Sequence, residues 1–267
     1  MLAGPAEELP RVTISLRTLL ASLIDYAGLF PPAALPMEQA LRNYDHYRRD
    51  DYAWALGRFV LPAARLSEVP REFPVSVLVT DIASMPDRDT IEIKATSADE
   101  IEAIARAAGS RTTYVEIADI ALLDPIAANG LRAKIRTGGV TAEAFPDAAV
   151  VARFVAECMR RRLPFKATAG LHHPLRCVKP LTYERDAPRG TMHGFINLFL
   201  AAALPERAAE ILVDDDPRAF AFDDDGASWR GTRIANAELA SMRECAISFG
   251  SCSFEEPIAD LKELGWL

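Results

Sequence analysis

The sequence has no run of 18 uncharged apolar residues, so no membrane-spanning helix is expected. Its most apolar stretch, residues 195–204, is too short to span and reads as a buried helix. The first residues, MLAGPAEELPR, lack a basic start followed by an apolar core, so no secretory signal is expected and a cytoplasmic location is. There is no basic surplus: the net charge is −8, which disfavours a nucleic-acid or anionic-membrane partner. The four cysteines, Cys158, Cys177, Cys245 and Cys252, form no CxxC pair, so neither a zinc site nor a dithiol motif is suggested, and no cofactor is expected. No GxGxxG follows a first strand and no GxxxxGK[ST] occurs, which weakens a dinucleotide or P-loop fold. Internal repeats and low-complexity tracts are also lacking.

The chain has 267 residues and is 50% hydrophobic. Such a chain can bury roughly three quarters of its unfolded surface, so it needs no staple. Residues 1–12 read as a flexible, Pro- and Glu-containing arm, and 13–267 as one domain. Leu16, Leu19, Leu20, Leu23 and Ile24 recur at helical spacing, with Ser15 as candidate N-cap. This helix would stop near Gly28, before Pro31 and Pro32; the competing reading makes 22–29 a buried first strand that carries Asp25.

Short apolar strands then alternate with helices. Strands are predicted at 58–61, 75–80, 90–95, 113–118, 132–137, 165–169 and 246–251, with clear helices at 98–108 and 148–162. This α/β order predicts a parallel sheet, and seven or eight strands favour a closed (β/α)8 TIM-type barrel. A long insertion, residues 177–240, precedes the last strand. It contains a helix over 195–203 and a hairpin of 219–222 and 228–230 turned by Asp-Gly. The aspartate run 223–225 lacks the Glu an EF-hand needs and reads as a solvated turn.

The strands alternate charge and apolar residues, and side chains alternate faces along a strand. Ile91, Ile93, Val115, Ile117, Ala133, Ile135 and Phe165 would face the helices. Glu92, Lys94, Glu116, Lys134, Arg136 and Lys166 would point along the barrel axis, four bases against two acids. Barrel axes are ordinarily apolar, and buried charge is costly unless paired or liganded. Four consecutive charged strands therefore suggest a site. Three strand ends carry glycine: Gly138 and Gly139, Gly170, and Gly250 followed by Ser251. Such ends let backbone N–H groups approach an anion.

At these residues the chain resembles the class I deoxyribose-phosphate aldolase family of barrels. Lys134-Ile135-Arg136-Thr137-Gly138 is similar to that family's K-x-S-T-G strand. Phe165-Lys166-Ala167-Thr168-Ala169-Gly170 is similar to its V-K-A-S-G-G strand. Phe249-Gly250-Ser251-Cys252-Ser253 is similar to its F-G-A-S-S phosphate segment. The resemblance implies Lys134 as imine-forming nucleophile and Lys166 as the neighbour that lowers its pKa. It implies Gly250 and Ser251 as phosphate contacts, with Glu116 the nearest candidate for proton shuttle. Arg136 departs from the family's small residue, and the insertion 177–240 is foreign to it.

Histidines are scarce, four in all, and three sit near the expected mouth. His172 and His173 follow a strand; His193 starts a helix, with Asn197 one turn on. His172 and His193 are candidate acid–base groups, and His173 and Asn197 candidate binding groups. The segment 176–190 reads as a lid. The leading expectation is a lyase or isomerase, aldolase-like, acting on a small anionic carbonyl compound through a lysine imine. In it Lys134, Lys166, Glu116, His172 and His193 are catalytic, and Lys94, Arg136, Gly138, Gly139, Gly170, His173, Asn197, Gly250 and Ser251 bind substrate. Two alternatives stand beside it: metal-assisted chemistry by His172, His173, His193 and Glu116, and a non-catalytic anion-binding barrel. A homo-oligomer is left open.

Overall fold

The computed structural model describes residues 12–88 and 90–267. The arm expected over 1–12 lies outside the described residues but for Val12. The helix Ile14–Leu20 is capped by Thr13, whose hydroxyl accepts from the Leu16 N–H at 3.4 Å. The cap is Thr13, not Ser15, because Thr13 has the extended backbone a cap needs and Ser15 already lies inside the helix.

That helix ends at Ala21 rather than at Gly28. The chain turns and forms strand β1 (Ile24–Tyr26). β2 (Leu56–Pro62), β3 (Val75–Leu78), β4 (Thr90–Lys94), β5 (Thr112–Glu116), β6 (Arg132–Arg136) and β7 (Phe165–Thr168) follow, each parallel to the strand before it. The insertion then supplies a hairpin, β8 (Cys177–Pro180) and β9 (Arg189–Met192). After the helix Phe195–Ala203 it supplies a three-stranded sheet, β10 (Phe220–Phe222), β11 (Gly226–Trp229) and β12 (Thr232–Ala235). β13 (Ala246–Ser251) returns between β7 and β1 and closes the barrel.

The eight-stranded parallel barrel is the predicted architecture. Residues 24–26 are a strand because of that closure. β1 pairs with β13 on one side and β2 on the other, and a helix there would leave two sheet edges with unpaired backbone groups. Two crossovers are thinner than the ideal: β2 to β3 and β3 to β4 carry only the short 3₁₀ turns Ala63–Glu68 and Ile82–Ser84. The insertion's small sheet has one more strand than expected. Gly226 lies inside β11, and the left-handed pair Arg230 and Gly231 turns the chain into β12. At the aspartate turn, Asp223 accepts from the Asp225 and Gly226 N–H groups and pairs with Arg233. Among the described residues, no helix is long and apolar enough to cross a membrane.

The two strand faces divide as the alternation requires. Ile91, Ile93, Val115, Ala133, Ile135 and Phe165 are buried in the apolar core that joins strands to helices. Within that layer Phe154 and Phe165 meet edge to face, 5.6 Å between centroids. The opposite face carries the charges.

Candidate active site

Three ion pairs on the barrel axis join strands that are not neighbours, which only inward-pointing side chains can do. Lys166 Nζ on β7 lies 2.6 Å from Asp25 Oδ2 on β1 and 2.6 Å from Glu92 Oε1 on β4. Lys134 Nζ on β6 lies 2.7 Å from Glu92 Oε2 and 2.9 Å from Glu116 Oε2. Arg136 Nε completes the ladder, 3.2 Å from Glu116 Oε1. The hydroxyls of Ser76 and Ser248 donate to Glu92 Oε1 (2.6 Å) and Asp25 Oδ2 (2.8 Å), and the Arg58 N–H donates to Asp25 Oδ1 (2.7 Å). Each buried charge is thus paired and hydrogen-bonded, the condition under which burial is tolerable.

Position along each strand decides which charges are buried. Glu92, Lys134 and Lys166 are almost fully enclosed, whereas Lys94 and Arg136, one pleat further toward the C-terminal end, are exposed at the rim. Asp25 joins the interior as a third acid. The enclosed axis therefore holds Asp25, Glu92 and Glu116 against Lys134 and Lys166, and the expected excess of bases is confined to the rim.

Burial alone would raise the Glu92 carboxyl, but the charges and hydrogen bonds of Lys134 and Lys166 outweigh it and hold it well below the usual carboxylate range. Glu116 is lowered in the same way, burial being overcome by Lys134 and then Arg136. For Lys166 burial opposes the ammonium, and Asp25 and Glu92 reverse this and push its pKa upward. The cationic field that Lys166 was expected to exert on Lys134 is accordingly matched by two carboxylates at contact distance.

The two lysines serve opposite ends of the barrel. A cavity of about 310 Å³ at the C-terminal mouth is lined by Lys134, Arg136, Gly139, Thr168, Gly250 and Cys252, among others. A second cavity, about 370 Å³, lies at the N-terminal floor and is lined by Lys166 with Asp25, Arg58, Ser76, Tyr114 and Arg132. Barrel enzymes use the mouth.

The strand-end glycines divide by role. Cβ atoms on Gly138 and Gly170 would each lie 2.8 Å from the other's Cα and within 2.6 Å of the Phe145 ring. These two glycines let neighbouring strand ends touch, and a side chain at either would force them apart. Gly250 and Gly139 do line the chamber. Ser251 is buried, its hydroxyl accepting from the Ser253 N–H at 3.4 Å and its carbonyl from the Ala27 N–H at 2.6 Å. Ala169, on the chamber wall, has a left-handed φ of +64°, held by the Thr137 hydroxyl donating to its carbonyl at 2.7 Å. Such strain costs about 1–3 kcal/mol and collects at functional sites.

The histidines part company. His172 Nδ1 lies 3.0 Å from Glu256 Oε2, and Cys252 Sγ lies 3.8 Å from Nδ1 and 3.9 Å from Nε2. His173 Nδ1 pairs with Asp260 Oδ2 at 2.5 Å. His193 does not join them: its Nε2 donates to the Pro146 carbonyl at 2.8 Å, Nδ1 has no hydrogen-bond partner among the described residues, and burial lowers its pKa. Asn197 is a structural bracket and not a binding group. It accepts from the Arg176 N–H and donates to the Ile211 and Asp214 carbonyls at 2.6 and 2.7 Å. Glu116 is engaged by Lys134 and Arg136. The four groups of the metal alternative therefore have four separate sets of partners, and among the described residues no three His, Cys, Asp or Glu side chains are grouped to hold a metal ion.

The segment 176–190 is the β8–β9 hairpin with its connecting loop. Tyr183 at its tip donates to Glu256 at 3.2 Å and lies 3.6 Å from Cys252 Sγ, covering His172. Burial lowers the His172 pKa, but the hydrogen bonds and charges of Cys252 and Glu256 prevail and push it up to about 9. An upward shift gives stability that is complete below pH 6.5 and is lost as pH rises through about 9. Wild type is expected to lose roughly 3 kcal/mol of unfolding free energy between pH 6.5 and 10 that His172→Gln does not lose, measured by urea denaturation across that range. Equal pH dependence in both proteins would remove His172 as the titrating group.

Asp25, Ser76, Ser248, Tyr183 and Glu256 went unassigned in the sequence-based site. Asp25 carried a signal, a lone acid within Leu23-Ile24-Asp25-Tyr26, legible only once that segment is a strand. The serines carried none, because small hydroxyl side chains on strands are commonplace.

A scan against models of known protein families finds no match to this chain, and a search of curated protein sequences finds none either.

Proposed function

We propose that the mouth chamber is the active site of a lyase or isomerase acting on a small anionic carbonyl compound, with Lys134 as imine-forming nucleophile. One observation carries this reading: Lys134 is the enclosed lysine that lines the mouth chamber, while Lys166 lines the floor. Arg136, exposed at the rim on the same wall, supplies a guanidinium for the carboxylate or phosphate of the substrate.

In this reading Glu116 Oε2, 2.9 Å from Nζ, accepts a proton as the amine attacks the carbonyl carbon. The same carboxylate returns that proton to the carbonyl oxygen and relays a second one from the nitrogen to the resulting hydroxyl as water leaves, and the iminium draws electrons from the adjacent carbon for C–C cleavage or proton transfer. Lys166 acts from behind by fixing Glu92, which in turn positions Lys134. Lys94 has a rim position beside Glu116 and Arg136 and extends the basic edge.

Borohydride trapping with a panel of small oxo acids and sugar phosphates tests the proposal. The expected result is a reduced adduct whose mass maps to the peptide containing Lys134. A panel that leaves Lys134 unmodified, or modifies Lys166 instead, would sink it.

A further inference from the structure

We infer that Cys252, His172 and Glu256 form a second nucleophilic centre on the wall of the mouth chamber, one that adds reversibly to an aldehyde carbon. This rests on the chamber being a carbonyl site and narrows its substrate to a small aldehyde bearing a carboxylate or phosphate.

The three groups come from separate elements held in place by the barrel. His172 follows β7, Cys252 follows β13, and Glu256 lies in the first turn of the helix Glu255–Glu263. Glu256 engages Nδ1 of His172 at 3.0 Å, and Cys252 Sγ lies almost equally far from both ring nitrogens, 3.8 Å from Nδ1 and 3.9 Å from Nε2, so Nε2 is the nitrogen left to carry the thiol proton. A carboxylate that orients an imidazole which in turn faces a nucleophile is the arrangement by which a thiol loses its proton. Tyr183 closes the group from the hairpin, contacting both Cys252 and Glu256. Cys252 and His172 both line the chamber that holds Lys134 and Arg136. The upward shift of His172 to about 9 keeps a proton at the imidazole near neutral pH.

The other cysteines differ in setting. Cys158 is packed in the apolar core, and burial raises the thiols of Cys158, Cys177 and Cys245. None of these three has a histidine within hydrogen-bond distance among the described residues.

The step balances without an oxidant or reductant. Sγ, its proton already on Nε2 of His172, attacks the aldehyde carbon. The S–C bond forms, the C=O π bond breaks, and its electron pair on oxygen takes the proton from Nε2. The product is a hemithioacetal, and reversal regenerates the thiolate and the protonated imidazole. Arg136 would hold the acid group of the same molecule. An aldehyde fits better than a ketone because thiol addition is reversed more readily at the more crowded carbon.

Alkylation by iodoacetamide, followed peptide by peptide by mass spectrometry, tests the centre without a known substrate. Cys252 is expected to react at least about tenfold faster than Cys177, and His172→Gln to slow Cys252 about tenfold while leaving Cys177 unchanged. The Cys177 rate reports that the variant is folded; Glu256→Gln, which preserves volume, is expected to slow Cys252 to a lesser extent should His172→Gln unfold. Glyoxylate, as a small aldehyde with a carboxylate, is expected to protect Cys252 in wild type and in Lys134→Arg. A Cys252 rate no higher than that of Cys177, a rate indifferent to both variants, or protection that vanishes in Lys134→Arg overturns the inference. Borohydride trapping at Lys134 is read separately, so failure of the imine reading is distinguishable from failure of the thiol centre.

Discussion

Lys166→Met lowers the unfolding free energy at pH 7 by about 3–5 kcal/mol, read from urea denaturation with an unchanged slope. Methionine fills a volume similar to that of lysine, so the loss is electrostatic and not a cavity. Lys166 Nζ is the shared partner of Asp25 and Glu92, both at 2.6 Å, and the side chain is 1% exposed. Without it the two carboxylates share an enclosed space with no cation between them, and Lys134 alone faces three acids. Two responses distinguish this cause from a general packing defect. Glu92 and Glu116 have depressed pKa values, so the stability they contribute is present above the ordinary carboxylate range and lost as pH falls through their folded values. Their depression depends in part on the lysines, so the gap between wild type and Lys166→Met narrows as pH falls below about 5. Adding Asp25→Asn to Lys166→Met removes one orphaned charge and recovers part of the loss. A gap that is constant with pH, or a double variant weaker than the sum of both changes, would point to packing instead.

Lys134→Arg separates the nucleophile from the ion pair. Arginine keeps a positive charge between Glu92 and Glu116, so the ladder remains and the protein stays folded. A guanidinium, always protonated, forms no imine with a carbonyl compound. The expected outcome is loss of the borohydride adduct, and in any turnover assay a fall of at least about 10³-fold, roughly 4 kcal/mol of barrier. Purely electrostatic use of Lys134 predicts the opposite, with activity retained within about tenfold. Arg136→Gln on the same wall is expected to act on affinity, weakening substrate binding about 10- to 100-fold through one charge-assisted contact with little change in turnover.

The ladder was half legible in the sequence. Glu92, Glu116, Lys134 and Lys166 stand out because charge alternates with Ile, Val, Ala and Phe at period two, and in a βα order both sheet faces are buried. Alternation assigns a face but not a height. Lys94 and Arg136 share the inward face with Glu92 and Lys134, yet two residues further along the strand they emerge at the rim. That difference turned an apparently basic interior into three acids and two lysines. Asp25 was hidden for another reason: the helical spacing of Leu16 to Ile24 runs across a boundary that only closure of the barrel imposes. The mouth cluster was hidden because Cys252, His172, Glu256 and Tyr183 are up to 84 residues apart and share no local pattern.

By itself the sequence determined the class of fold, seven of the eight barrel strands and the inward charge, because periodicity and burial are local consequences of residue type. Tertiary structure decided which lysine opens to the mouth, which carboxylates neutralise each cation, and that the histidines separate. Those outcomes depend on strand register, on the tilt that brings β1, β4 and β7 together across the axis, and on the hairpin folded over β13. Such distances between remote residues arise only when the barrel closes.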